Sequence, residues 1–270
     1  GKKDEEYKYT PITRQLEKQF SSGEVTSSPT PEISAELEKL VRENLVDIEA
    51  NHLVFVNGHF IEALSTIVST SDEITLTTLQ QAFEEQHEVV SAYLGKQADI
   101  NSDPFIALNT AMVDDGVFLH VPKNNAPEQP VITYYFSDAS TSNVIAHPRN
   151  LFVVEENAQA KLVEIFHTFG KSASYNNPVT EIVLKEAAHV HYCKYENESE
   201  SAYHTGTTQV LHSSAVQAAL RSRALSQALT STTTRGRAAG APSPTTTSYR
   251  PGGTTIRLPV RPCATSTSSA

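Results

Sequence analysis

The chain repeats one strand-like pattern, and this repetition constrains its fold more than any other feature. The segment Val153–Val163 recurs as Ile182–Tyr192, at an offset of 29 residues. Each copy has a β-branched run, a kink at alanine and a second run. A unit of this size cannot bury its own apolar face, so copies have to stack on one another. The repetition therefore predicts a β-solenoid. The offset aligns Val153 with Ile182, Val154 with Val183, and Ala158 with Ala187.

Charge is distributed unevenly along the 270 residues, whose net formal charge is −10. All 31 acidic residues lie at or before Glu200, while residues 201–270 hold seven arginines, no lysine and no acid. Because contacts to phosphates need Lys and Arg, the acidic body excludes nucleic acid as its partner. The chain has no apolar run of about 18 residues, so we expect no membrane span.

Cysteine usage and the N-terminus bear on the compartment. Cys193 and Cys263 form neither a disulfide framework nor a zinc-binding pattern, which favours a reducing, cytoplasmic location. The first residues lack both an initiator Met and an apolar segment. We therefore expect a fragment without a visible signal peptide.

Local signals predict helices and one hairpin in the first 115 residues. Asn57-Gly58 lies between two apolar runs and predicts a β-hairpin, because Asn and Gly best tolerate the positive φ of a type I′ turn. Apolar spacing and capping residues predict the helices. These are Ile33–Leu45, Thr78–Leu94 with a capping box at Thr77 and Gln80, and a third beginning at Pro104 with Asp103 as its N-cap.

After residue 115 the pattern changes from helices to strands. Helices first and strands afterwards indicate an α+β protein. Residues 1–115 would form an N-terminal helical region with a hairpin, and residues 116–210 the coils of a parallel β-helix. The predicted strands are Val117–Val121, Val131–Phe136, Leu151–Val154, Lys161–Phe166, Thr180–Leu184 and Val190–Tyr195.

The composition of residues 211–270 is unlike the rest of the chain, with 10 Ser, 11 Thr, 10 Ala and 7 Arg. Such a segment lacks the hydrophobic content to offset its ordering entropy, so we predict a disordered, low-complexity tail. Arginine without lysine and an abrupt join near Val210 indicate a message read out of frame, with a natural disordered tail as the alternative. Val190–Tyr195 would then be the last strand of an incomplete β-helix with an exposed end.

Several stretches resemble the SufB/SufD family of iron–sulfur cluster assembly scaffolds. The acidic–aromatic opening Lys3–Thr10 and the hairpin Leu53–Phe60 are similar to segments of that family. The best match is Pro104–Ala111 followed by Asp115–Pro122. Because the SufB branch favours Gly-Gly before this strand, Asp115-Gly116 favours the SufD branch. The resemblance covers roughly the first 210 residues.

The resemblance implies a fold and partners. The fold is an N-terminal helical region, a right-handed parallel β-helix and a C-terminal helical region. Family members form a complex with SufB and the ATPase SufC, and they build or hand over nascent iron–sulfur clusters. The later coils and C-terminal helices carry the SufC contact and the functional His and Cys in the family. Because the resemblance stops near Val210, those residues have no counterpart in this chain.

One group of residues has the types that bind metals. His189, His191 and Cys193 alternate along a predicted strand, so all three should point to one face. Two imidazoles and a thiolate suit Zn²⁺ or Fe²⁺. With Glu196 and His204, the spacing partly resembles the metal-binding core of cupins, but flanking glycines and a second motif are missing. We favour a polar outer face of a solenoid coil that holds no metal.

Carboxylates offer a further alternative. Glu155, Glu156 and Glu164 could serve a β-helix enzyme that cleaves carbohydrates. We favour a solvated strand edge, because acids there discourage edge pairing. Two smaller groups receive structural interpretations: Asp114 and Asp115 as a turn and a helix terminus, and His120, His147 and His167 as isolated histidines with satisfied hydrogen bonds.

The sequence contains neither a G-x-x-x-x-G-K-[S/T] nor a G-x-G-x-x-G motif, so nucleotide chemistry would come from a partner. We therefore expect a non-catalytic, SufD-like scaffold subunit in complex with a SufB-like scaffold and a SufC-like ATPase. We expect no catalytic, cofactor-binding or metal-binding residues and no stably bound cofactor, with any transient iron–sulfur cluster held by the complex. The alternative is a metal-dependent cupin-like enzyme that uses His189, His191, Glu196 and His204.

Overall fold

A computed structural model of the chain describes residues 12–20, 33–213, 216–224, 229–238, 245–249 and 254–257. These residues form five α-helices, sixteen strands and a short 3₁₀ helix at Glu62–Leu64. The α-helices are α1 (Ile12–Phe20), α2 (Ala35–Glu43), α3 (Leu79–Glu84), α4 (Glu88–Tyr93) and α5 (Pro104–Met112). The strands are β1 (Asn51–Val56), β2 (His59–Phe60), β3 (Thr75–Thr78), β4 (Val117–Val121), β5 (Val131–Ala139), β6 (Val144–Ala146), β7 (Arg149–Val154), β8 (Gln159–Gly170), β9 (Ser174–Asn176), β10 (Val179–Leu184), β11 (His189–Asn197), β12 (Ala202–His212), β13 (Gln217–Ala224), β14 (Leu229–Ala238), β15 (Thr245–Tyr249) and β16 (Thr254–Arg257).

Most strands belong to two long sheets. The first sheet has the order β16-β13-β11-β8-β5-β1-β2, and the second has the order β15-β14-β12-β10-β7-β4-β3. From β4 to β14 the chain passes repeatedly between these sheets, and each strand pairs in parallel with its equivalent one coil later. The short strands β6 and β9 form a third side, and β9 also pairs with β12. This arrangement is a parallel β-helix and confirms the predicted α+β class.

The register of the coils corrects the offset taken from the sequence. Arg149 pairs with Val179 and Gln159 pairs with His189, so the two coils are offset by 30 residues rather than 29. A slip of one residue moves a side chain to the opposite face of its sheet. Val154 packs in the inner core, whereas Val183, its partner at an offset of 29, packs in an outer cluster.

Three apolar clusters cover the faces of the two sheets, one between the sheets and two beneath helices on their outer sides. The inner cluster lies between the sheets and includes Leu53, Leu162 and Ile182. Helix α2 packs Leu37 and Val41 on the outer side of β1 and β5. Helices α3 and α4 pack on the outer side of β4, β7 and β10. Each helix thus buries one apolar stripe against a sheet face.

The predicted hairpin is confirmed and belongs to the β-helix. Strands β1 and β2 pair antiparallel around Asn57 and Gly58, whose φ values are 51° and 86°. Strand β1 also pairs in parallel with β5, and the Asn57 side chain accepts a hydrogen bond from the Asp138 backbone N–H at 2.8 Å. The hairpin therefore extends the first sheet across the boundary predicted near residue 115.

The helix predicted over Thr78–Leu94 is two short helices, α3 and α4. Gln86 lies between them with a φ of 53°, which is incompatible with a continuous helix. The N-cap of α3 is Thr78, one residue later than predicted, and its hydroxyl accepts from the Gln81 N–H at 3.1 Å. The prediction for α5 is confirmed, with Pro104 in its first turn and Asp103 as its N-cap.

The strands continue past Val190–Tyr195, contrary to the prediction that this strand is the last. Strands β12, β13 and β14 are all parallel to their neighbours, and β15 and β16 then pair antiparallel with β14 and β13. Threonine, which is abundant here, is β-branched and suits a strand whose ladder partner already exists. Parts of the predicted tail thus add to both sheets, and its remaining residues lie outside the described ranges. None of the described helices is long and apolar enough to cross a membrane.

Candidate functional site

Polar side chains point into the β-helix as well as apolar ones. Burial alternates along β11, where Tyr192, Lys194 and Glu196 face inward and are at most 3 % exposed. Strand β8 alternates in the same way, so Glu164 lies inside with 1 % exposure. Because the two strands pair in register, these inward positions stack from coil to coil. Charged groups therefore meet in the interior.

Glu164 is the centre of the first part of this network. Its carboxylate accepts hydrogen bonds from Asn150 Nδ2 at 2.8 Å, Thr180 Oγ1 at 2.7 Å and the Tyr192 hydroxyl at 2.6 Å. Lys194 Nζ lies 3.4 Å from the same carboxylate. Burial raises the pKa of Tyr192 well above its usual value, and the Glu164 charge adds to that effect. Tyr192 is therefore a permanent hydrogen-bond donor.

The second part of the network surrounds His204. Its Nδ1 lies 2.9 Å from Glu198 Oε2, and its Nε2 lies 3.6 Å from Glu196 Oε1. Burial alone would lower the pKa of His204, but the charges of Glu198 and Glu196 raise it above the ordinary value. Glu198 also accepts from Asn176 Nδ2 at 2.6 Å. The two nearby carboxylates thus favour the protonated form of the imidazole.

Gly206 lies where the two parts meet. A Cβ at this position would be 2.9 Å from His204 Nε2 and 3.3 Å from Lys194 Nζ, so any larger residue would displace one of them. Both nitrogens lack a hydrogen-bond partner among the described residues. The Lys194 ammonium also lies 5.5 Å from the centre of the Phe166 ring. We define the polar column as Tyr135, Asn150, Glu164, Asn176, Thr180, Tyr192, Lys194, Glu196, Glu198 and His204.

A separate buried ion pair fixes a loop to the second sheet. Arg149 Nε lies 3.1 Å from Glu181 Oε1, and both side chains are buried. The Glu181 carboxylate also accepts from the backbone N–H groups of Gly95 and Gln97 at 2.9 Å and of Ala98 at 3.2 Å. Such a charged acceptor satisfies several backbone donors at once. This pair therefore positions the segment between α4 and α5.

The residues of the predicted cupin-like site are not brought together. His189, His191 and Cys193 share the outer face of β11, as their alternation predicted. Glu196 and His204 lie inside the β-helix, on the other side of the sheet. Burial raises the pKa of the Cys193 thiol, which disfavours a thiolate ligand. Among the described residues, no three His, Cys, Asp or Glu side chains are placed to hold a metal ion.

The carboxylate prediction needs one correction. Glu164 is buried in the polar column and does not lie on a solvated strand edge, whereas Glu155 and Glu156 occupy a corner at the surface. The three acids therefore do not form one catalytic pair. Alternation of Ala160, Leu162, Glu164 and Phe166 was the signal for the inward position. An acid in a period-two pattern more often faces solvent, so the sequence alone does not predict that Glu164 is buried.

Asp114 and Asp115 bind backbone groups and do not form a turn, and α5 ends before them at Met112. Asp115 Oδ1 accepts from the Gln80 N–H at 2.9 Å and so caps α3, and Asp114 Oδ2 accepts from the His147 N–H at 2.8 Å. The three isolated histidines all have polar partners: His120 lies near Glu155, His147 near Asn177 and His167 near Asn197.

Comparison with known proteins identifies the family to which this chain belongs. Residues 1–132 match the model for the SufBD protein N-terminal region, and residues 136–248 match the model for the SufBD core domain of SUF system iron–sulfur cluster assembly. The chain belongs to the SufB/SufD family. The resemblance to the SufB/SufD family seen in the sequence is thereby confirmed, but it does not stop near Val210 as predicted. The core-domain match includes β12, β13 and β14, and so covers much of the predicted tail. The frame-change hypothesis stays a prediction, which the coding DNA around Val210 tests.

Several SufB/SufD family relatives align with the chain. An iron-sulfur cluster assembly SufBD family protein of Synechocystis sp. is 28% identical over 220 residues, which are 77% of this chain and 46% of that protein. A SufBD family protein of Staphylococcus saprophyticus is 27% identical over 135 residues, or 48% of this chain and 28% of that protein. One from Staphylococcus aureus strain USA300 is 28% identical over 131 residues, or 47% and 27%. The chain thus spans less than half the length of these relatives.

Proposed function

We propose that the chain is a non-catalytic scaffold subunit for iron–sulfur cluster assembly. The observation that carries this proposal is the tandem match of both SufBD family models to one continuous parallel β-helix. The buried column supports a structural role for its charges, since each carboxylate is committed to hydrogen bonds or ion pairs inside the fold. The chain itself lacks the phosphate-binding motifs of an ATPase.

The finer assignment is a SufD-like subunit that acts with a SufB-like scaffold and a SufC-like ATPase. Asp115-Gly116 supports the SufD branch and has a physical reason in this fold. Asp115 caps α3, and a Cβ on Gly116 would lie 1.8 Å from the backbone oxygen of Arg149. Gly116 is thus required where β4 approaches β7. We propose a cytoplasmic complex that holds the cluster transiently, with no cofactor bound stably by this chain alone.

The test is co-elution with partner subunits. The full chain is mixed with the SufB-like and SufC-like proteins of its own organism, and size-exclusion chromatography is followed by metal analysis of each peak. We expect a mixed complex to elute ahead of the free chain. A free chain that elutes alone in every mixture would contradict the scaffold proposal. Stoichiometric zinc or iron on the free chain, lost in His191→Ala, would instead indicate a metal site on the outer face of β11 and would also contradict the proposal.

A further inference from the structure

The described residues cover only part of the outer face of the first sheet. Helix α2 packs over β1 and β5, and its cluster reaches the outward residues Val163 and Ile165 of β8. The next strands, β11 and β13, continue the same sheet beyond this cover. Their outward side chains are exposed or half-buried. We define the basic face as His191, Cys193, Tyr195, Arg221 and Arg223.

Strand register brings these side chains side by side. Cys193 pairs with Arg221 and Tyr195 pairs with Arg223 on the neighbouring strand. Residues directly opposite each other in a sheet are neighbours on the same side. Arg221 and Arg223 are exposed, and Tyr195 is a large apolar residue with 37% exposure. The face therefore combines an aromatic ring with two guanidinium groups.

On these strands every acid faces inward, whereas several cations face outward. The acids of β8 and β11 are Glu164 and Glu196, and both point inward with 1% exposure. Strand β13 contains no acid. The described outward positions of these three strands therefore carry Lys161, Arg221 and Arg223 but no carboxylate. This cationic face belongs to a chain whose net charge is −10, with every acid at or before residue 200.

We propose that the basic face docks an acidic, amphipathic helix of another protein. Tyr and Arg are among the residues enriched at the centres of protein interfaces, and complementary charge guides the encounter. Helix α2 already covers the adjacent part of this sheet, which favours a helix as the partner. Acidic side chains of the helix would pair with Arg221 and Arg223, while its apolar stripe would cover Tyr195 and Cys193.

A second copy of this chain fits the face less well. A symmetric dimer through this surface would place Arg221 and Arg223 against the same residues of the partner copy, and like charges repel. A contact between the basic face and an acidic surface elsewhere on a second copy would not close, so it would produce open chains. A foreign acidic helix avoids both problems.

The test uses the full chain and a fluorescent peptide. The peptide has about 20 residues, long enough to be helical, with Leu on one side and Glu on the other. A second peptide carries Lys in place of every Glu. Binding is measured by fluorescence anisotropy for the wild type, for Arg221→Glu with Arg223→Glu, and for Tyr195→Ala. The matched control is Lys39→Glu with Arg42→Glu, which makes the same change of charge on the exposed side of α2.

We expect the wild type to bind the acidic peptide and not the basic one. The double reversal should weaken binding roughly tenfold or more, and the α2 control should change it by less than about twofold. Circular dichroism verifies folding, and Arg221→Gln with Arg223→Gln replaces the reversal if that variant unfolds. No binding by the wild type, or equal binding by the reversal, would overturn the proposal. So would tighter binding of single-stranded DNA, or self-association that the reversal abolishes in sedimentation.

Discussion

Single buried residues determine whether the charged groups inside this β-helix are stable. Glu164 accepts from side chains on three strands, β7, β10 and β11, and lies near Lys194. A buried ion pair costs free energy to desolvate, but removing one partner leaves the other charge uncompensated. The polar column is therefore stable only as a complete set.

Glu164→Gln should lower the free energy of unfolding by about 3 kcal/mol. The amide offers one acceptor oxygen to three donors and leaves the Lys194 charge unpaired. Urea unfolding measures the change. Glu156→Gln is the control, because Glu156 forms an exposed ion pair with Lys123 and should cost less than about 1 kcal/mol. Equal losses in both variants would show that the column has no special energetic role.

His204 should give stability a pH dependence of defined sign. Its folded pKa is raised, while the unfolded value is about 6.5. The stabilisation is therefore fully present below about pH 6.5 and is lost as pH rises through the folded pKa. The difference in unfolding free energy between wild type and His204→Gln should shrink as pH rises. Urea titrations from about pH 6 to 9 measure it, and a difference that grows with pH would refute the assignment.

At the scale of elements, the corners of the coils set the register. Asn124, Asn157 and Ala187 have φ values of 66°, 58° and 56°. Asn157 and Ala187 precede Ala158 and Ala188, which are both fully buried immediately before β8 and β11 begin. Asparagine tolerates the left-handed region, but alanine does so at a cost. Ala187 is therefore a strained corner.

Ala187→Gly should raise the free energy of unfolding by up to about 1 kcal/mol. Relief of the positive φ outweighs the extra flexibility of glycine in the unfolded chain. Thermal melting measures the shift. Ala188→Gly is the matched control, since it removes a buried methyl group from ordinary backbone and should destabilise. A destabilised Ala187→Gly variant would mean that the corner is unstrained.

Elements with local chemistry could be predicted from the sequence. The hairpin followed from Asn57-Gly58, and α5 followed from Asp103 and Pro104, because these signals act within a few residues. The break at Gln86 has no such signal, because the left-handed position that ends α3, where the His87 N–H bonds the Ala82 carbonyl, usually has glycine and here has glutamine. The sequence does not distinguish an offset of 30 residues from one of 29, because two apolar runs match almost as well when shifted by one residue.

At the scale of the whole molecule, the later coils and the polar column could not be predicted from the sequence, because both depend on contacts between residues far apart in the chain. Strands β12 to β14 contain few large apolar residues, so their stability comes from pairing with a preceding coil. Pairing between coils depends on residues 28 positions apart, such as His189 and Gln217. The amino-acid composition of a segment does not show which strand it will pair with. The contacts of Glu164 and His204 also join different strands, so only the structure shows them.

Removing residues 211–270 should make the chain associate. The truncation deletes β13 and exposes the ladder groups of β11, and it also removes β14 from the edge of β12. Unpaired edges of this kind recruit other strands. Dynamic light scattering of residues 1–210 should detect larger species than the full chain at equal concentration. A monodisperse, folded truncated chain would show that the later strands are dispensable as a cap.

The most direct test of the scaffold assignment is the amount of cluster formed in a three-component mixture. The SufB-like protein, the SufC-like ATPase and this chain are incubated anaerobically with ferrous iron, sulfide and ATP. Visible absorption and acid-labile sulfide are measured with and without the chain. We predict that the chain increases the cluster held by the complex and holds none when incubated alone. A stable cluster on the chain alone, or a yield unaffected by its presence, would contradict the account.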